Sequence, residues 1–420
     1  MLKQLILENW KSFRHAVLDI DPLTVIIGTN ASGKSNALDS LEFLKRTAQG
    51  TEIQASLAGL AGDKQLSPIR GGVEWAAFKP ETQFTLSVLI QGEDERTDYL
   101  YSITVETKPR VQLLVESLQR IRKRPRTDKN PYKIYLFQAE PPSAPDSPSI
   151  IARLYNEKKG TPKELRRSTS ILSQLTGLSL LRQEIGEGIS IVSEVLQNIF
   201  ILAPIPSAMR YYSPFSDSLY SDASNIAGVL AALPDEQKKQ IESTLSNYVT
   251  HLPERDIQKV WAEPVGKFNS DAMLYCKELW IPDAQNYREV DARGMSDGTL
   301  RFIAIITALM TRPKGSQLII EEVDNGLHPS RSELLVKMLR EIGEQRNIDI
   351  LVTTHNPSLL DALGPEIVPF VVVAHRDTKT GESKLTLVED IHNFSKLFAS
   401  ASLGKLTENG AIERSLVRTS

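Results

Sequence analysis

The sequence predicts an α/β fold, a mixed sheet wrapped by helices, with an antiparallel β subdomain and a mainly helical inserted lobe. Three observations predict it. The apolar run Leu23-Thr-Val-Ile-Ile27 breaks at Gly28 and is followed by the helical pattern Asn36-Ala-Leu-Asp-Ser-Leu-Glu-Phe-Leu44. Two more apolar runs, Leu318-Ile-Ile320 and Ile348-Asp-Ile-Leu-Val-Thr-Thr354, end in polar residues and flank a helical pattern. Finally, Phe84-Thr-Leu-Ser-Val-Leu-Ile90 and Tyr99-Leu-Tyr-Ser-Ile-Thr-Val105 nearly alternate in polarity about a polar turn, as an antiparallel hairpin does.

Read in order, residues 1–105 form the N-terminal half of the core. Leu5–Leu7, Ala16–Ile20 and Leu23–Ile27 are its first strands, ahead of the helix and the hairpin. Residues 106–285 read as an inserted, largely helical lobe. It opens with a basic segment, 108–133, carrying nine Lys or Arg, and a proline-rich loop at Glu140–Pro148. Helical patterns follow at Glu187–Phe200, Ile226–Leu233 and Glu236–Val249. Residues 286–420 return to α/β: a buried helix at Leu300–Met310, the strand at Gln317, a helix at Ser332–Glu344, and strands at Ile348 and Val368. Leu335, Met338, Leu339 and Ile342 fall on one face of that second helix.

At 420 residues and 41% apolar, the chain can bury a large core in one large or two closely joined domains. A net charge of -3 gives no global attraction to nucleic acid or anionic membrane. Cys276 stands alone, which excludes a disulfide framework and a thiolate zinc cluster. The N-terminus lacks the apolar stretch of a signal peptide, and runs such as Phe302-Ile-Ala-Ile-Ile306 fall short of the roughly twenty residues that span a bilayer. A cytoplasmic protein with no membrane partner is expected.

The break at Gly28 has chemical content. Gly28-Thr-Asn30-Ala31-Ser32-Gly33-Lys34-Ser35 is Gly-x-x-x-x-Gly-Lys-Ser between a strand and a helix, the context a phosphate-cradling P-loop requires. Its glycines let backbone N–H groups approach phosphate oxygens, Lys34 reaches the β- and γ-phosphates, and Ser35 offers a hydroxyl to Mg²⁺. ATP and Mg²⁺ are therefore the expected cofactors. Glu321 and Glu322 end the apolar strand at the phosphate crevice of an open sheet. Alternation along a strand splits their roles: Glu321 holds the metal and Glu322 polarises the attacking water. Ser296, Asp297 and Gly298 open the helix at Phe302, with Ser296 as its N-cap and the first amides free to meet an anion. His355 closes the other apolar strand, where it can hydrogen-bond the γ-phosphate and sense its loss.

Together these pieces resemble a known family. Asn9-Trp-Lys11-Ser-Phe13, Gly28–Asn36, Leu219–Ala227, Met295–Arg301, Ile320–Pro329 and Thr354–Pro357 carry the likeness. The chain resembles ABC-type ATPases of the SMC/RecF/OLD branch, most closely the stand-alone bacterial ATPases of the AAA-21 type found in anti-phage systems. The resemblance implies an ABC-like core and a homodimer, or higher even oligomer, sandwiching two ATP molecules. Lys34, Ser35, Asn36 and Glu321 of one subunit would bind Mg-ATP, and Ser296, Asp297 and Gly298 of the other would cap the γ-phosphate. Lys11 resembles the basic residue this branch places against the phosphates, and His328-Pro329 stands where a crossing D-loop occurs. Glu321 replaces the aspartate of the wider superfamily. The glutamine that couples nucleotide to the rest of such proteins is not evident; Gln83 and Gln91 are candidates.

Relatives carry a TOPRIM nuclease after the ATPase. The acids after His355 show no strand-end cluster, so no nuclease domain is expected here, and the resemblance implies a separately encoded effector, TOPRIM-like or another nuclease. A RecF-like DNA clamp is the alternative, with DNA contact through 108–133 by Arg120, Arg122, Lys123, Arg124 and Arg126. A transporter ATP subunit fits less well, since those chains lack a large insert after the first sheet.

Overall fold

The computed structural model describes residues 1–63, 66–123, 131–142, 144–155, 159–179, 181–252, 257–281 and 284–417. Along the chain, β1 (Leu2–Trp10), β2 (Phe13–Asp19) and β3 (Leu23–Ile27) lead to α1 (Lys34–Ala48) and the short α2 (Ile53–Ala58). Strands β4 (Gln83–Gln91), β5 (Thr97–Glu106), β6 (Gln112–Arg122), β7 (Tyr132–Ala139), β8 (Ser149–Leu154) and β9 (Thr161–Arg166) follow. Then come α3 (Ile171–Leu175), α4 (Gln183–Gln197), β10 (Ile199–Leu202), α5 (Pro206–Met209), β11 (Ser213–Pro214), α6 (Ile226–Ala232) and α7 (Asp235–Thr250). The hairpin strands β12 (Ile257–Val265), β13 (Asp271–Ile281) and β14 (Ala284–Asp291) precede α8 (Asp297–Thr311) and β15 (Gln317–Ile320). The chain continues through α9 (Ser332–Arg346), β16 (Asp349–Thr353), α10 (Pro357–Leu363), β17 (Val371–Arg376) and β18 (Ser383–Leu387), and three short helices follow.

The central sheet has the order β10-β15-β16-β3-β17-β18 and is parallel except for its last strand. A parallel sheet covered on both faces needs apolar residues at every position, which is why its strands read as unbroken apolar runs. Val25, Ile27, Leu318, Ile320, Ile350 and Val352 bury into one core; Ile26, Ile319 and Leu351 bury into the other. Helices α8 and α9 cover the first face, and α1 with the antiparallel sheet covers the second.

That antiparallel sheet has eight strands in the order β2-β1-β4-β5-β6-β7-β8-β9. The expected hairpin is β4–β5, and Phe84, Leu86, Val88, Ile90, Tyr99, Tyr101, Ile103 and Val105 all point into the second core. The segment 106–285 departs from expectation. Strands β6–β9 continue the same sheet, so no break in structure falls at 105/106, and the lobe is not mainly helical. β10 is the edge strand of the central sheet, and β12–β14 form a third, antiparallel sheet with β11. The pattern Glu187–Phe200 accordingly splits into α4 and a strand, while Ile226–Leu233 and Glu236–Val249 are helices as expected. Among the described residues, no helix is long and apolar enough to cross a membrane.

Candidate functional site

Parallel register brings the carboxyl ends of three strands to one edge. Thr353 pairs with Ile26, and Ile320 with Val352, so the loop after β3, the acids after β15 and the end of β16 emerge together. The loop Gly28–Gly33 needs its glycines. Gly28 has φ 143°, and a Cβ there would lie 2.2 Å from the Ala374 carbonyl oxygen. Gly33 has φ 113°, with Phe13 and Ser383 against the place of its Cβ. Ala31 is also left-handed at φ 63°. Such alternation turns successive N–H groups to one side, an anion-binding concavity at the start of α1. Thr29, Asn30 and Ala31 are exposed, and the buried Ser32 hydroxyl has no partner among the described residues. A buried orphan hydroxyl in a nest of N–H groups fits a phosphate.

Lys34 folds back over this loop, its Nζ 2.5 Å from the Gly28 carbonyl and 3.0 Å from that of Thr29. Burial lowers its pKa, opposed by the charges of Glu322 and Glu321. Ser35 Oγ donates to Glu321 Oε1 at 2.5 Å. Arg70, from the loop after α2, grips the same carboxylate: Nη1 donates to Oε1 at 3.0 Å and Nη2 to Oε2 at 2.5 Å. Burial would raise the Glu321 pKa, but hydrogen bonds from Arg70 and Ser35 and the charges of Arg70 and Lys34 hold it below the usual range. The hydroxyl and carboxylate form a hard-oxygen pair suited to a divalent cation.

Glu322 follows in the turn just past the strand and is left-handed at φ 48°. Such a conformation costs about 1–3 kcal/mol and persists where the surroundings over-determine it. Here Glu322 N–H donates to Thr353 Oγ1 at 2.8 Å, and Asn325 Nδ2 donates to its carboxylate at 3.2 Å. Below it, Thr354 Oγ1 donates to the buried Asp324 at 2.5 Å, fixing β16 to the acidic turn. His355 follows as an exposed residue at the same edge.

Lys11 bonds within the chain beside the site. Its Nζ donates to Asp39 Oδ2 at 2.5 Å and to the Arg70 carbonyl at 2.8 Å, with burial lowering its pKa against the pull of Asp39. Asn36 likewise serves the frame: its Nδ2 donates to Ser12 Oγ at 2.7 Å, and Trp10 Nε1 donates to its carbonyl. Gln83 and Gln91 lie on β4 in the antiparallel sheet, away from the edge strand β10 that flanks β15.

Ser296 caps α8 as expected, accepting from Thr299 N–H at 3.1 Å. A Cβ at Gly298 would meet the Gly326 carbonyl at 2.7 Å and Arg331 Nη1 at 2.9 Å, so the segment before His328 lies directly on this helix start. Sequence reasoning missed the brace beneath it. Arg210 donates to the carbonyls of Ala292, Arg293 and Met295 and pairs with the Asp297 carboxylate. Arg70 was missed too. Its signal was a charged residue ahead of Gly71 and Gly72, both left-handed.

Part of the basic segment is paired. Arg120 binds Glu93, Lys123 lies 3.1 Å from Asp98, and Lys108 lies 3.9 Å from Glu74. Arg124 and Arg126 lie outside the described residues.

Fold and site together define a P-loop ATPase, with a phosphate loop, paired acids and a signature-like helix start on an α/β core. The description "AAA domain, putative AbiEii toxin, Type IV TA system" belongs to the family whose pattern matches residues 23–361, and the chain is a member of that family. An ATP/GTP phosphatase of Helicobacter pylori is similar, at 21% identity over 370 residues, 86% of this chain and 87% of that protein. Among solved structures, the SMC head domain from Thermotoga maritima has a TM-score of 0.44 at 15% identity, covering 92% of this chain and 98% of that one. The Smc head bound to the C-winged helix domain of ScpA has a TM-score of 0.49 at 14% identity, covering 92% and 96%.

Proposed function

We propose that this ATPase binds Mg-ATP, closes into a head-to-tail homodimer around two nucleotides, and so controls a separately encoded effector, a nuclease acting in anti-phage defence. The observation that supports the shared site is the different partners its two halves keep within one chain. Lys34, Ser35, Glu321 and Glu322 gather at the sheet edge, while Ser296–Gly298 open α8 among Arg210, Gly326 and Arg331. A second subunit brings the missing half to each P-loop. The effector reading draws support from the family's toxin–antitoxin description.

In this account the loop amides and Lys34 hold the phosphates. Ser35 and Glu321 would hold the divalent cation, which would supply charge neutralisation to the phosphate oxygens. Glu322, pinned by Thr353, takes the proton of the attacking water, and His355 hydrogen-bonds the γ-phosphate. A direct DNA clamp has less support, because Arg120 and Lys123 are already paired with Glu93 and Asp98.

Glu322→Gln tests both parts. It should bind ATP, accumulate as a dimer by light scattering, and hydrolyse about 10²–10⁴-fold more slowly. A variant that stays monomeric with ATP bound overturns the dimer; parental turnover overturns the base.

A further inference from the structure

A cavity of about 670 Å³ runs beside the edge strand β10, within the size range of small-molecule sites. Its walls are the C-terminal half of α1, the loop ending at Arg70, residues 218–222 and Arg312 just past α8. Most charges on these walls are matched. Asp39 pairs with Lys11, Glu321 with Arg70, and Glu42 with Arg46 and Lys45. Asp63 and Asp222 accept backbone N–H groups from Leu66 and Ser224.

Arg312 is the exception. Among the described residues its guanidinium has no ion pair and no acceptor, and its buried Nε is unpartnered. Its contact is the face of Phe200, 4.9 Å away. Arg346 donates through Nη2 to the Arg312 backbone carbonyl at 2.7 Å, and its own buried Nε is also without a partner among the described residues. Guanidinium groups desolvated without a counter-charge are costly unless an anion joins them. Burial lowers the pKa of both, and no carboxylate acts against it.

We propose that this cavity is a second binding site, separate from the P-loop, for a small oxyanion ligand whose phosphate or carboxylate docks on Arg312. The planar fork of a guanidinium matches either acid group in bidentate fashion. The site is placed to influence the ATPase: β10 pairs with β15, and Arg70 and Glu321 line the cavity's other end.

Calorimetric titration of the full chain with inorganic phosphate and, separately, citrate tests this, in a Lys34→Ala background that disables the P-loop. Binding of phosphate identifies a phosphorylated ligand, and of citrate a carboxylate one. Adding Arg312→Gln should weaken either by about tenfold to hundredfold, the worth of a charged hydrogen bond. Arg312→Lys, which keeps the charge but loses the fork, should weaken it less and keeps the test open should the Gln variant not fold. No heat from either probe up to about 10 mM, weaker than any useful affinity, overturns the proposal. So does equal binding with and without the substitutions.

Discussion

Arg70 and Glu321 form a two-pronged ion pair over the hydroxyl of Ser35, with both carboxylate oxygens engaged at 3.0 and 2.5 Å. A guanidinium thus stands on the two groups best suited to a divalent cation. A metal entering there must first displace it.

Arg70→Ala should make that entry easier. The Mg²⁺ concentration needed for half-maximal binding of a fluorescent ATP analogue should fall by about threefold to tenfold, since a partly exposed charged pair is worth only about 1 kcal/mol. A rise would mean that Arg70 helps to build the metal site.

Arg210 holds the turn before α8 through three carbonyls and Asp297. In Arg210→Ala these acceptors lose their donor and the helix start loosens. Turnover should drop by about tenfold or more, while ATP affinity of the isolated subunit stays unchanged. Equal losses in both would point to a general folding defect.

The sequence made the central sheet and its P-loop legible because both depend on local pattern: continuous apolar strands, two obligatory glycines, a lysine and a serine. Arg70 carried only a faint local signal, the two glycines after it, and its partner lies 251 positions away. β10 was hidden for another reason. Ile199–Leu202 is a short apolar run continuous with a helical pattern, and periodicity alone cannot separate the two states. Strands such as β9, Thr-Pro-Lys-Glu-Leu-Arg, lie at the sheet's far edge with little buried, so they show no apolar face. Bulges at Thr104/Val105 and Leu118/Gln119 break the alternation of β6 with its neighbours.

Asp349 gives a pH signature. Burial and the nearby Asp21 push its pKa up to about 6, with the Met1 ammonium pulling the other way. The folded state therefore holds this proton more tightly than the unfolded chain. Its contribution to stability is full below the ordinary value of 3.8 and is lost as pH rises to about 6. Asp349→Asn should flatten that fall in melting temperature between these limits; an unchanged profile would assign the slope to other groups.

In the proposed dimer each nucleotide site is shared between two subunits. Lys34→Ala and Ser296→Arg should each be inactive alone, one lacking the phosphate lysine and the other the helix start offered to its neighbour. Mixed, they form heterodimers in which one site carries both lesions and the other carries neither. ATPase activity should reappear on mixing, at a substantial fraction of the parental rate. Absence of any recovery, with heterodimers demonstrated in the same solution, would contradict the shared site.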